Sequence, residues 1–225
     1  MREQFDDFIN NLSEIDRENY LKYKDIRGIQ TYKIIYNSLL QEYSEVEYKD
    51  VNALVMYDKA LKDQLFKFLG TLEDYLHNFI LSNYDFEITA NLSKKEYKYF
   101  KEMPECFKLK NPTSQITELY KRYNLMFGEM ILFLEKYDKY RFDLYKLRQI
   151  KSLRNMVMHH APLIFDVNGY PIIQETRQKI IELLIMLPNN YHIGLIASIN
   201  NLNQKTKNNL DCKAYKFLLE DISNV

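Results

Sequence analysis

Arg154 and His159 stand five residues apart in the run Ser152-Leu153-Arg154-Asn155-Met156-Val157-Met158-His159-His160-Ala161-Pro162. Residues of these types suit phosphodiester chemistry. Histidine can give and take a proton near neutral pH, and the planar, permanently charged fork of arginine matches phosphate oxygens. The spacing alone is common, but Asn155 beside the arginine and a helix end at the histidine narrow it. Pro162 disfavours helical backbone at Ala161, so the helix that carries the motif is expected to stop within a turn of His159 and His160.

Placing the residues at about 100° per step on that helix separates two faces. Arg148, Lys151, Ser152, Asn155 and His159 fall on one polar strip, and Leu147, Ile150 and Val157 lie on the other side. Arg154 points between Leu147 and Val157, into a mostly apolar sector where a lone charge is costly. It therefore needs a carboxylate or a phosphate. Glu73, at the edge of the apolar stripe of an upstream helix, is the internal carboxylate available to orient Arg154 or His159, with His77 one turn later.

The elements that must hold these residues read as helices. The chain has 225 residues, 46% of them hydrophobic, with only five glycines and five prolines, which favours an all-α protein over a turn-rich sheet. Its 19 tyrosines and 13 phenylalanines, with no tryptophan, can supply an aromatic core. Leu65, Phe68, Leu69, Leu72, Leu76 and Phe79 recur at helical steps through Lys62 to Asn83. A second helix is expected from about Pro112 to Tyr137, and the motif helix from about Lys139. Asn168-Gly169, between Leu163–Val167 and Tyr170–Ile173, predicts one small β-hairpin near 164–173. Further helices are expected over Thr176 to Leu187, His192 to Leu202 and Leu210 to Leu219.

Charge balances at 31 basic and 31 acidic residues, so any nucleic-acid contact must be local. The region from Lys136 to Arg154 supplies it, with Arg141, Arg148 and Lys151 as RNA-contacting candidates and Tyr137, Tyr140 and Tyr145 interleaved. The run from Lys94 to Lys101 reads as a solvated basic face. Cys106 and Cys212 lack metal-ligand spacing, and no cluster of acidic and histidine residues has it either, so neither a metal nor a cofactor is expected. The N-terminus is polar rather than signal-like and no apolar stretch is long enough to span a bilayer; a cytoplasmic protein without membrane contact is expected.

Arg-Asn-x-x-x-His-His, here Arg154 to His160, resembles the signature of Abi-like abortive-infection proteins in the HEPN superfamily. Tyr57-Asp58-x-x-Leu61, with Leu65 and Leu72-Glu73, is similar to the family helix that carries an acidic residue against the motif helix. The likeness spans roughly Val51 to Phe165 and departs from the family at His77, where arginine is frequent. It implies a HEPN-like helical bundle over 51–165; the more acidic first fifty residues are expected to form a helical extension over 1–50, and the helices of 166–225 to pack on the core, together one compact domain. It further implies a homodimer in which two motifs face each other as a metal-independent endoribonuclease acting in phage defence, silent until a trigger or the loss of an inhibitor releases it. In that frame Arg154 holds the phosphate, His159 moves the proton, Asn155 fixes the imidazole or a phosphate oxygen, Glu73 orients Arg154, and His160 joins Arg141, Arg148 and Lys151 in contacting RNA. The competing reading is a non-catalytic helical module that binds nucleotide or a protein, with Arg154 in a structural pair.

Overall fold

The computed structural model describes residues 2–83, 86–88, 107–109, 126–138 and 141–205. The expected helix start at Pro112, the run from Lys94 to Lys101, Tyr140, both cysteines and the helix from Leu210 to Leu219 lie outside the described residues. The chain is all-α. Among the described residues its α-helices are α1 (Arg2–Asn10), α2 (Glu14–Arg27), α3 (Ile29–Glu42), α4 (Tyr48–Asn83), α5 (Phe127–Tyr137), α6 (Leu144–Met158), α7 (Ile173–Met186) and α8 (His192–Lys205). Two three-residue strands, β1 (Phe86–Ile88) and β2 (Phe107–Leu109), pair antiparallel with Phe86 opposite Leu109. Among the described residues no helix is long and apolar enough to cross a membrane.

By its contacts the chain divides into two units, one of residues 1–67 and 153–225, the other of residues 68–152. Sequence patterning does not anticipate this division, because both boundaries fall inside continuous helices, α4 and α6.

In the first unit, local signals fix each helix end. The Ser13 hydroxyl accepts from the Asp16 amide (3.2 Å) to cap α2, Glu14 and Asp16 occupy its first turn and Lys24 and Arg27 its last, matching the helix dipole at both ends. Gly28, at φ +85°, stops α2 through its amide on the Lys24 carbonyl (2.9 Å) and begins α3 at once. A side chain at that φ would be strained. The tyrosine and phenylalanine content is used here: Phe8 stacks on Tyr36 at 4.3 Å, Tyr20 meets Tyr32 edge-on at 5.3 Å, and Tyr32 lies parallel to Tyr48 at 6.5 Å. Below this aromatic layer Ile35, Leu39, Leu61, Leu65, Leu153, Leu163, Ile164, Leu183, Leu195 and Ile199 are fully buried.

The expected excursion after α6 is present, held by one antiparallel bridge between Phe165 and Pro171 rather than by regular strands. Asp166 shapes its turn, its carboxylate accepting from the amides of Asn168 and Tyr170 (both 2.8 Å). Gly169 is required twice over: its φ is +87°, and a Cβ there would come within 2.9 Å of the Ser38 hydroxyl. The His192 ring nitrogen lies 2.9 Å from the Leu187 carbonyl.

In the second unit Phe68, Leu69, Leu72, Leu76 and Phe79 of α4 are all buried, as their spacing predicts, along with Met130 and Leu134 of α5 and Leu147 and Ile150 of α6. Phe79 meets Phe142 edge-on at 4.9 Å, with the Arg141 guanidinium 4.5 Å from the Phe79 ring. His77 is buried here, and burial pushes its pKa below the ordinary histidine value against the opposing pull of Glu73 and Asp74. Because the folded state resists protonation, the unfolded chain takes the proton first, and stability is lost as pH falls below the unfolded pKa of about 6.5. We expect a melting temperature that drops on acidification from pH 7 to pH 5, and a shallower drop for His77→Phe; parallel pH profiles would contradict the assignment.

Candidate active site at the end of the motif helix

The two faces expected of α6 are those observed. Leu147, Ile150, Leu153 and Val157 are buried, whereas Arg148, Lys151, Asn155 and His159 are exposed. Arg154 is half-buried, in keeping with its place between Leu147 and Val157. The helix ends at Met158, one residue before the motif histidine and within a turn of His159 and His160 as expected.

Beyond Met158 the chain forms an ordered cap. The His159 amide bonds to the Asn155 carbonyl at 3.0 Å, closing the last turn and tying the histidine to the asparagine. His160 is the only non-glycine residue with positive φ among the described residues, at φ 56°. Its amide bonds to the Val157 carbonyl (3.3 Å), and the Ala161 amide reaches back to the Met156 carbonyl (2.9 Å). These two bonds are those of a Schellman cap, with a histidine at the left-handed position that glycine usually fills. Left-handed backbone costs an L-residue roughly 1–2 kcal/mol, which the surroundings must offset. His160→Gly removes that strain but loosens the unfolded chain, so we expect a change between neutral and about 1 kcal/mol stabilising, while His160→Val destabilises by about 1–2 kcal/mol. Chemical denaturation measures both, and a stabilising valine would contradict the cap geometry.

The offset comes from a buried ion pair on α4. Asp58 and Lys62 face each other one turn apart, their side chains 1% and 7% exposed. Lys62 also donates to the His160 carbonyl at 3.2 Å, and the other oxygen of Asp58 accepts from the Leu163 amide at 2.7 Å. The pair therefore grips the cap on both sides, at the left-handed residue and three residues beyond it. Burial drives the Asp58 pKa upward, opposed by Lys62 and by the amides of Leu163 and Ile164. The result is a rigid pedestal that presents two adjacent exposed imidazoles, His159 and His160, just past a helix C-terminus.

Glu73 is half-buried on α4 and belongs to the second unit, Arg154 to the first, and neither side chain is free. In the second unit Arg148 pairs with Glu135 at 2.5 Å, and the exposed Lys151 runs past Gly128, where a Cβ would come within 2.9 Å of its amine. Arg141 lies over the Phe79 ring. Both arginines thus have partners within the fold, yet both remain exposed to solvent.

The residues that sequence patterning misses are Asp58 as the anchor and Lys62 altogether. Their signal was an acid and a base four apart on a helix whose neighbouring positions, Leu61 and Leu65, are core. Compared with family models, with curated proteins and with solved structures, the chain finds no match.

Proposed function

We propose that this chain is a metal-independent endoribonuclease of the abortive-infection type, acting as a phage-defence effector, with a composite site assembled from two copies. The observation that carries the reading is the exposed His159 on an anchored helix cap, one α-turn beyond Asn155 and near a half-buried arginine in sequence. In the reaction the ribose 2′-oxygen bonds to phosphorus and the bond from phosphorus to the 5′-oxygen breaks. One proton leaves the 2′-hydroxyl and another joins the departing 5′-oxygen. His159 of one copy takes the first proton and His159 of the second copy supplies the other, while the Arg154 side chains stabilise the charge on the phosphate. Two copies supply the two proton-transfer groups, one His159 from each.

The exposed His159, one turn beyond Asn155 on the anchored cap, is what favours this reading over a non-catalytic module. Cleavage of RNA in the presence of EDTA tests it. The expected result is turnover by the native chain and a loss of about 10²–10⁴-fold in His159→Ala, with a comparable loss in Arg154→Ala. Turnover that survives undiminished in His159→Ala overturns the site assignment, and binding of RNA without turnover by the native chain overturns the enzyme reading.

A further inference from the structure

A cavity of about 500 Å³ lies within the first unit, bounded by the α2–α3 junction, by α4 and by the cap of α6. Its wall is formed by Lys24, Arg27 and Gly28 on one side and by Val55, Lys59 and Lys62 on the other, with His160 at the end. Four of its lining residues carry positive charge, Lys24, Arg27, Lys59 and Lys62, against two negative ones, Asp25 and Asp58. Lys62 is paired with Asp58 and Lys59 with Asp63, which leaves Arg27 and Lys24 against Asp25, a net of one positive charge.

Arg27 is held in an unusual way. One of its terminal nitrogens donates to the Asn52 side-chain oxygen at 2.8 Å and to the Tyr32 hydroxyl at 3.2 Å, and its guanidinium lies 4.0 Å from the Tyr23 ring centre. All three partners are neutral. Among the described residues no carboxylate lies in ion-pair contact with it. A half-buried guanidinium fixed by neutral groups keeps its full charge and its remaining N–H groups for something else, at little entropic cost when that partner arrives. Gly28 keeps this wall free of a side chain, and no side chain caps the start of α3 beside it. Ile26 and Ile29, both exposed, and Val55, buried, add apolar surface to the same lining.

We infer that this cavity binds the phosphate of a nucleotide, with Arg27 as its principal ligand, Lys24 as a second and the apolar lining against the base or sugar. The volume suits one nucleotide rather than a folded partner. The phosphate comes either from a free mononucleotide or from one position along an RNA strand whose course passes His160. Binding there does not depend on catalysis and is measured separately from ribonuclease turnover.

The test is calorimetric titration of the full chain with 5′-AMP and, separately, with a 2′-O-methylated hexanucleotide that cannot be cleaved. At least one should bind, and Arg27→Gln should weaken that binding by tenfold or more. Because Arg27 also braces Tyr32 and Asn52, Lys24→Glu serves as the second variant; it leaves those contacts in place and should weaken binding by a similar factor. Tight binding of 5′-AMP identifies a free nucleotide as the source, and binding of the oligonucleotide alone identifies an RNA backbone. Absence of binding by both probes, or binding unchanged in Lys24→Glu and in a folded Arg27→Gln, overturns the inference.

Discussion

Asp58→Ala is expected to destabilise the protein by about 3–5 kcal/mol, the usual consequence of removing one member of a buried ion pair. Asp58 is 1% exposed, and its loss leaves the Lys62 ammonium buried with, among the described residues, the His160 carbonyl as its remaining partner. The Leu163 amide loses its acceptor at the same time. Lys62→Met is the milder change, by about 1–3 kcal/mol, because burial already favours the neutral acid at Asp58 and a protonated carboxyl can still accept from Leu163. Asp58→Leu with Lys62→Met should recover part of the loss, since no charge remains to be buried. Denaturant unfolding of the two single variants and the double variant measures the coupling. Asp58→Ala within 1 kcal/mol of the native chain would show that the pair does not anchor the cap.

His159→Ala is expected to lower RNA cleavage by about 10²–10⁴-fold, the range for loss of a general acid or base. Its side chain is exposed, so stability should change by less than about 0.5 kcal/mol. That separation of activity from stability is what distinguishes a catalytic histidine from a helix cap. Arg154 should behave differently: it is half-buried, so Arg154→Ala costs both activity and stability, while Arg154→Lys keeps the charge but loses the planar fork and most of the turnover. Asp58→Ala should also reduce cleavage by releasing the cap that presents His159, even where the variant remains folded. A fall in activity that tracks stability across all four variants would reduce the motif to a structural element.

Much of the scaffold was legible because periodicity and local backbone rules act within a few residues. The Leu65 to Phe79 stripe, the end of α6 before Pro162, the turn at Asn168-Gly169 and the split faces of α6 all follow from such rules. α4 begins at Tyr48, well before the Lys62 that opens its regular stripe, and periodicity does not reveal the early part since Asn52, Asp58, Lys59 and Lys62 interrupt the apolar pattern there. Two of those interruptions are the anchor of the candidate site. An acid and a base four apart look like any solvated surface pair until the fold places an α6 cap above them, and that contact joins residues about a hundred positions apart. The Arg148 partner was hidden for the same reason, since Glu135 sits on the preceding helix. Arg27 carried no motif at all; only the turn at Gly28 and the cavity behind it distinguish it from the other basic residues of α2.

The central claim is that His159 drives cleavage by the neighbouring 2′-hydroxyl without a metal, and the chemistry of the product ends tests it most directly. Mass spectrometry of fragments from an EDTA-containing digest should find 2′,3′-cyclic phosphate at the new 3′ ends, formed by the native chain and absent with His159→Ala. Fragments ending in a 3′-hydroxyl, or the same cyclic ends produced at the same rate by His159→Ala, would contradict it.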